Sequence, residues 1–88
     1  MTNFAKDPDA ILDWQFDWGP WLPDGDTIDT HTILADGVTV DSSTRDGATV
    51  TVWLSGGDVG KRATVTCRVV TTQGRTDDRT INVAIRDR

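Results

Sequence analysis

The chain has 88 residues, 36% of them hydrophobic, and a formal charge of −5 at neutral pH. That length makes one domain, whose small core hides roughly 60–65% of the surface exposed by the unfolded chain. An acidic domain repels phosphate backbones, and its 9 Lys and Arg residues form no block, so no nucleic-acid partner is expected.

All 14 acidic residues are Asp. Asp suits turns and caps, whereas Glu suits helix interiors. With abundant Thr and Val, this choice predicts an all-β chain. Basic residues gather in the C-terminal third and Asp in the first half, a layout that can orient subunits in an assembly. The single Cys, Cys67, excludes an intrachain disulfide. The opening MTNFAKDPDA lacks the apolar run of a secretory signal, and no stretch approaches the ~18 apolar residues of a membrane helix. Folding in a cytoplasm, with no membrane partner, is the expectation.

Residues 1–10 read as an N-terminal arm ahead of a β-sandwich domain over 11–88. Phe4 stands alone among polar residues, and Asp7-Pro8-Asp9 favours extended or turn geometry. Such an arm either frays or packs Phe4 on a neighbouring subunit. Next, Leu12, Trp14, Phe16 and Trp18 alternate with Asp13, Gln15 and Asp17. This period of two predicts a strand over 11–18 with its apolar face in the core. Gly19-Pro20 ends it, Pro23-Asp24-Gly25-Asp26 makes a second turn, and Trp21 sits at the corner between them.

The strand over 27–34 has no clean face. Ile28, Thr30, Thr32 and Leu34 share one side, and Asp29, His31 and Ile33 the other, which predicts an edge strand or a bulge. Ala35-Asp36-Gly37 reads as a hairpin turn into a strand over 38–43, and a second Asp-Gly turn at 43–47 leads to 48–54. There Val50, Val52 and Leu54 face the core, while Trp53 stands with Thr49 and Thr51 on the outer face. A large aromatic in that position calls for a cover, from the Trp21 corner or from a partner. After the Gly-rich loop 55–61, a strand over 62–72 turns Ala63, Val65, Cys67 and Val69 inward. A tip at Gln73-Gly74-Arg75 returns the chain antiparallel through 79–86, with Ile81, Val83 and Ile85 inward. Six or seven short strands with turns this close predict an immunoglobulin-like antiparallel β-sandwich, with a small barrel as the second choice.

No candidate chemistry is complete. The loop GGDVGKR fails the phosphate-loop pattern: Ser55 replaces its first Gly, Arg62 its final Ser or Thr, and a strand follows instead of a helix. Asp24, Asp26 and Asp29 lack the ligand number calcium wants, and a Pro-Asp-Gly-Asp turn explains them by backbone needs. His31 is the only His, and no nucleophile-elbow pattern surrounds Ser42, Ser43 or Ser55. One His and one Cys do not make a zinc site. Cys67 alternates with Val65 and Val69 as a small core hydrophobe. The expectation is a non-enzymatic domain with no cofactor, no metal and no catalytic residue. Its four Trp also suit a carbohydrate-binding module recognising the bacterial surface, provided two of them form an exposed planar pair.

Several elements taken together resemble a known family. They are Lys6-Asp7-Pro8-Asp9-Ala10-Ile11-Leu12-Asp13, Asp17-Trp18, Trp21-Leu22 and Asp24-Gly25-Asp26-Thr27-Ile28 in the first half. In the second half they are Val52-Trp53-Leu54-Ser55-Gly56-Gly57, Val65-Thr66, Thr71-Thr72, Gly74-Arg75-Thr76-Asp77 and Arg79-Thr80-Ile81. In order and spacing this resembles the small virion proteins of tailed bacteriophages often labelled fibre–tail adaptor, over nearly the whole chain. The chain departs from that pattern at Ala63 and Thr64, where an aromatic is common. The resemblance implies an immunoglobulin-like sandwich and a structural role in the virion, as fibre–tail adaptor or capsid decoration. It also implies other virion proteins (capsid, tail or fibre) as partners and many copies per particle. Phe4, Trp21 and Trp53 are the candidate protein-contact residues.

Overall fold

Seven strands, with no helix among the described residues, form the computed structural model, which describes residues 2–86. Met1 of the predicted arm and Asp87 and Arg88 of the predicted domain lie outside them. The strands are β1 (Thr2–Lys6), β2 (Leu12–Asp17), β3 (Ile28–Asp36), β4 (Thr39–Asp46), β5 (Thr49–Ser55), β6 (Arg62–Thr71) and β7 (Thr76–Ile85). They make two sheets, ordered β1-β7-β6-β3 and β2-β5-β4. With strands lettered in chain order, the first sheet holds the C, F and G strands of an immunoglobulin fold and the second holds B, E and D. The first strand departs from the constant-domain arrangement and pairs with β7, in parallel.

Alternation decides which side chains meet between the sheets. Val50, Val52 and Leu54 of β5 face Ala63, Val65, Cys67 and Val69 of β6 and Ile81, Val83 and Ile85 of β7, all buried. Phe16 and Trp18 close this core from the β2 side. In antibody domains a disulfide joins the B and F strands here. In this chain Cys67 on β6 is a free buried thiol, and the Trp18 indole lies against it. Burial pushes the thiol up from its ordinary pKa, which suits an inert packing role.

Three expectations about strand limits change. The Asp36-Gly37 turn does not close a hairpin: β3 lies in one sheet and β4 in the other, so the chain crosses the sandwich edge there. Bulges explain the mixed faces of these edge strands. The register of β3 on β6 shifts between Ile28 and Thr30, so that Ile28, His31 and Ile33 share the inner side. The register of β4 on β5 shifts between Val40 and Ser42. The strand predicted to end at 43 runs on to Asp46, because Ser42–Asp46 ladders onto β5 despite its turn-like composition. Likewise β7 starts at Thr76 rather than 79, its polar first residues pairing with Val70, Val69 and Arg68.

Thr2–Lys6, within the stretch expected as an arm, runs beside β7 from Ile81 to Ile85. Phe4 enters the gap between the sheets and stacks on Trp14, with ring centroids 5.0 Å apart and planes at 20°. Lys6 follows it inward and is fully buried (0% exposed), its ammonium donating to Asp7 O (2.8 Å) and Gly56 O (2.7 Å). Charge-assisted bonds to carbonyls compensate the desolvation of the ammonium. Gly57 abuts the same end: at φ +103 a Cβ would lie 2.6 Å from Ile85 Cδ1, so a side chain there would be strained and crowded.

Candidate protein-docking site

Among the sequence elements that carry the resemblance, two meet in space and another presents Trp53 outward. The Asp-Gly-Asp-Thr-Ile element and the Thr71–Arg75 tip, over forty residues apart in sequence, meet at one end of the sandwich. The Asp26 side chain is wholly shielded (0% exposed). It accepts hydrogen bonds from Thr72 Oγ1 (3.2 Å), Gln73 N (3.3 Å), Thr27 N (3.0 Å) and Arg75 Nη1 (3.1 Å). Burial pushes its carboxyl up, but hydrogen bonds from Thr71, Thr27, Gln73 and Thr72 outweigh burial and hold it below the ordinary value. Asp26 therefore ties the β2–β3 connection to the β6–β7 hairpin. Its place in the Pro23 turn, where Asp26 N donates to Pro23 O (3.1 Å), is what aims it there.

Trp18 and Trp21 belong to the same end. Their rings meet edge to face at 5.2 Å and 70°, and the Arg79 guanidinium lies 4.3 Å over the Trp18 ring. Arg79 Nη1 also donates to Asp17 O (2.6 Å), which links β7 to β2 across the sheets. Among the described residues the buried Trp18 Nε1 meets no oxygen acceptor and lies toward the Cys67 thiol.

Trp53 lies outside this group. It sits on the middle strand of the β2-β5-β4 sheet, faces outward and is 41% exposed. Its cross-strand neighbours are Asp13 and Ser42, with Gln15, Thr51 and Thr44 in the next row but one. The result is an aromatic on a flat, polar, acidic-edged face. Ile11, Leu34 and Val59 are the other exposed large apolar side chains among the described residues. Ile11 and Val59 lie in connections, and Leu34 is on the opposite sheet.

The three candidate contact residues do not converge. Phe4 is half-buried against Trp14, Trp21 is half-buried against Trp18, and Trp53 stands apart on its sheet face. Trp18 is buried and Trp14 and Trp21 are half-buried, which leaves Trp53 without an exposed Trp to pair with, so the paired platform asked of a carbohydrate module is not formed. His31 Nε2 is bonded to Ser43 Oγ (3.1 Å), and burial, then the nearby Arg45 charge, lower its pKa. Sequence reasoning read Asp26 only as a turn residue and missed Lys6 and Arg79. Only Lys6 had a local signal, its two-residue spacing from Phe4.

The two sheets, pinned by side chains at both ends, define a small immunoglobulin-like β-sandwich. The family model of the podophage GP4 fiber-tail adaptor protein gp77 matches residues 6–84, and the chain belongs to that family. It is a structural, non-enzymatic component of the phage virion and binds other virion proteins. No curated protein matches the chain.

Proposed function

We propose that the chain joins tail to fibre protein by laying the outer face of β2-β5-β4 on one of them, with Trp53 as the central contact. The observation that supports this most is the exposure of Trp53 in a chain whose other Trp residues pack within the fold. Trp anchors dominate interface energetics because they bury a large rigid surface at small entropic cost. Asp13, Gln15, Ser42 and Thr44 supply a polar rim. Phe4 and Trp21 are lesser contacts, reachable at their exposed edges. Many copies in one particle add avidity to a modest single contact.

Trp53→Ala should weaken binding to purified tails of the parent phage by about 10- to 100-fold, the range of an interface anchor. Its thermal midpoint should move by less than about 5 °C, because little core is disturbed. Cosedimentation with tails and a melting curve read the two effects. Unchanged cosedimentation by the folded variant would remove Trp53 from the interface. Deleting residues 1–9 is no substitute, since it strips β1 from the sheet.

A further inference from the structure

The sheet face that holds Trp53 carries carboxylates and no cation. Asp13, Gln15 and Asp17 of β2 alternate with the inward Trp14 and Phe16 and project outward beside Thr49, Thr51 and Trp53 of β5. Arg45 is the one basic residue on β2, β4 and β5. It pairs with Val50, whose side chain is in the core, so alternation turns it away from this face, and its charge acts on His31 instead. The other basic residues within strands, Lys6, Arg62, Arg68 and Arg79, belong to the opposite sheet.

A bulge completes the arrangement. Val40 pairs with Leu54, and the register then skips to Ser42 against Trp53. Asp41 is the extra residue, and its Oδ1 accepts a hydrogen bond from Ser55 Oγ (2.9 Å). Ser55 follows Trp53 by two positions on β5 and so shares its face. The bulge thus brings a carboxylate to the β4 side of Trp53, while Asp13 stands directly opposite Trp53 on β2. Among the described residues the ion pairs are Arg68 with Asp78 and Arg75 with Asp26, and neither Asp13 nor Asp41 takes part in one.

We propose that the partner docked on this face is a basic surface of another virion protein, whose Arg side chain lies on the Trp53 indole between the Asp13 and Asp41 carboxylates. The inference rests on the Trp53 face being the docking surface and adds the chemistry of its occupant. Trp holds a cation over its ring better than Phe or Tyr does, and desolvation in an interface strengthens that contact. A guanidinium stacks flat on an indole while its N–H groups reach a carboxylate, a combination that an ammonium does not offer. The chain makes the same pairing internally, with the Arg79 guanidinium 4.3 Å over the Trp18 ring. Charge complementarity also excludes other occupants. A neutral or acidic surface laid on this face would bury two carboxylates unpaired, which is strongly unfavourable. A basic one relieves them and is steered to the face as it approaches.

The test uses purified tail particles and purified fibre protein of the parent phage, with binding read at about 50 mM and about 300 mM salt, where screening differs strongly. Asp13→Asn/Asp41→Asn keeps the side-chain shapes and an acceptor for Ser55 and removes both charges. Asp24→Asn/Asp58→Asn removes two charges from connections off this face. The component that binds wild type should do so about 10-fold more weakly at the higher salt. It should bind Asp13→Asn/Asp41→Asn about 10-fold more weakly than wild type at the lower salt, with little further loss at the higher. Asp24→Asn/Asp58→Asn should bind within about twofold of wild type. Binding lost in Trp53→Ala but unchanged by Asp13→Asn/Asp41→Asn and by salt overturns the basic partner and leaves the Trp53 face standing. Binding unchanged in Trp53→Ala removes the face and this inference with it. An equal loss in both pairs of Asp variants also overturns it, since net charge alone then sets binding. Self-association of the free protein that rises with concentration and is lost in Asp13→Asn/Asp41→Asn overturns it as well, assigning the face to a second copy.

Discussion

Trp18→Ala should leave the domain barely folded. The indole is 0% exposed and touches Trp21, Arg79 and the Cys67 side of the core. Truncating a buried Trp to Ala costs about 3–5 kcal/mol. At roughly 0.05–0.15 kcal/mol per residue a domain of this size has only about 4–13 kcal/mol in total. Trp18→Phe should be far milder. It keeps a ring for Arg79 and Trp21, and the N–H it deletes faces only the weak acceptor Cys67 Sγ. Urea unfolding followed by circular dichroism compares the two. A wild-type midpoint for Trp18→Ala would show that the sheets are held by something other than this end of β2.

Asp26→Ala should lower the thermal midpoint by about 10 °C or more, since it leaves several donors of the tip unpaired in a shielded site. Asp26→Asn should fall between, keeping an acceptor and losing the charge that Arg75 meets. The pH dependence has a definite sign. The folded-state pKa of Asp26 lies below the ordinary 3.8, so the unfolded chain binds the proton more readily. The stabilisation is complete above the ordinary carboxylate value and is lost as pH falls below it, through the lower folded value. Asp78, held down by hydrogen bonding to Arg68, adds a contribution of the same sign. Acid titration of wild type should therefore show a loss of stability below about pH 4 that Asp26→Ala flattens. An identical acid limb in both would remove Asp26 from the clamp.

What the sequence made legible follows from local periodicity. Two-residue alternation identified the inward faces of β2, β5, β6 and β7, and it set Trp53 outward before any tertiary contact was known. It failed where the deciding partner is remote. An Asp-Gly turn has the same local chemistry whether it closes a hairpin or crosses between sheets, so β3 and β4 read as a pair. The bulges at the start of β3 and in β4 break the period on which face assignment depends. Parallel pairing of β1 with β7 has no local signature, because its partner lies at the other end of the chain. Polar Thr76–Asp78 counts as strand only because β6 is already there to pair with it. The Asp26 clamp was visible as two separate sequence elements but not as one site. Its two halves are joined by folding, and each alone resembles an ordinary turn.

This division separates structure from function within the chain. Asp26, Gly56, Gly57, Trp18 and Lys6 specify the ends and closure of the sandwich. Trp53 is exposed and takes no part in those contacts, and the proposed function gives it its role. Hydroxyl-radical footprinting of Trp53 in the free protein and in the intact virion tests this most directly. The predicted result is ready oxidation of Trp53 in the free domain and strong protection in the virion. Equal oxidation of Trp53 in both states would contradict docking through the β2-β5-β4 face.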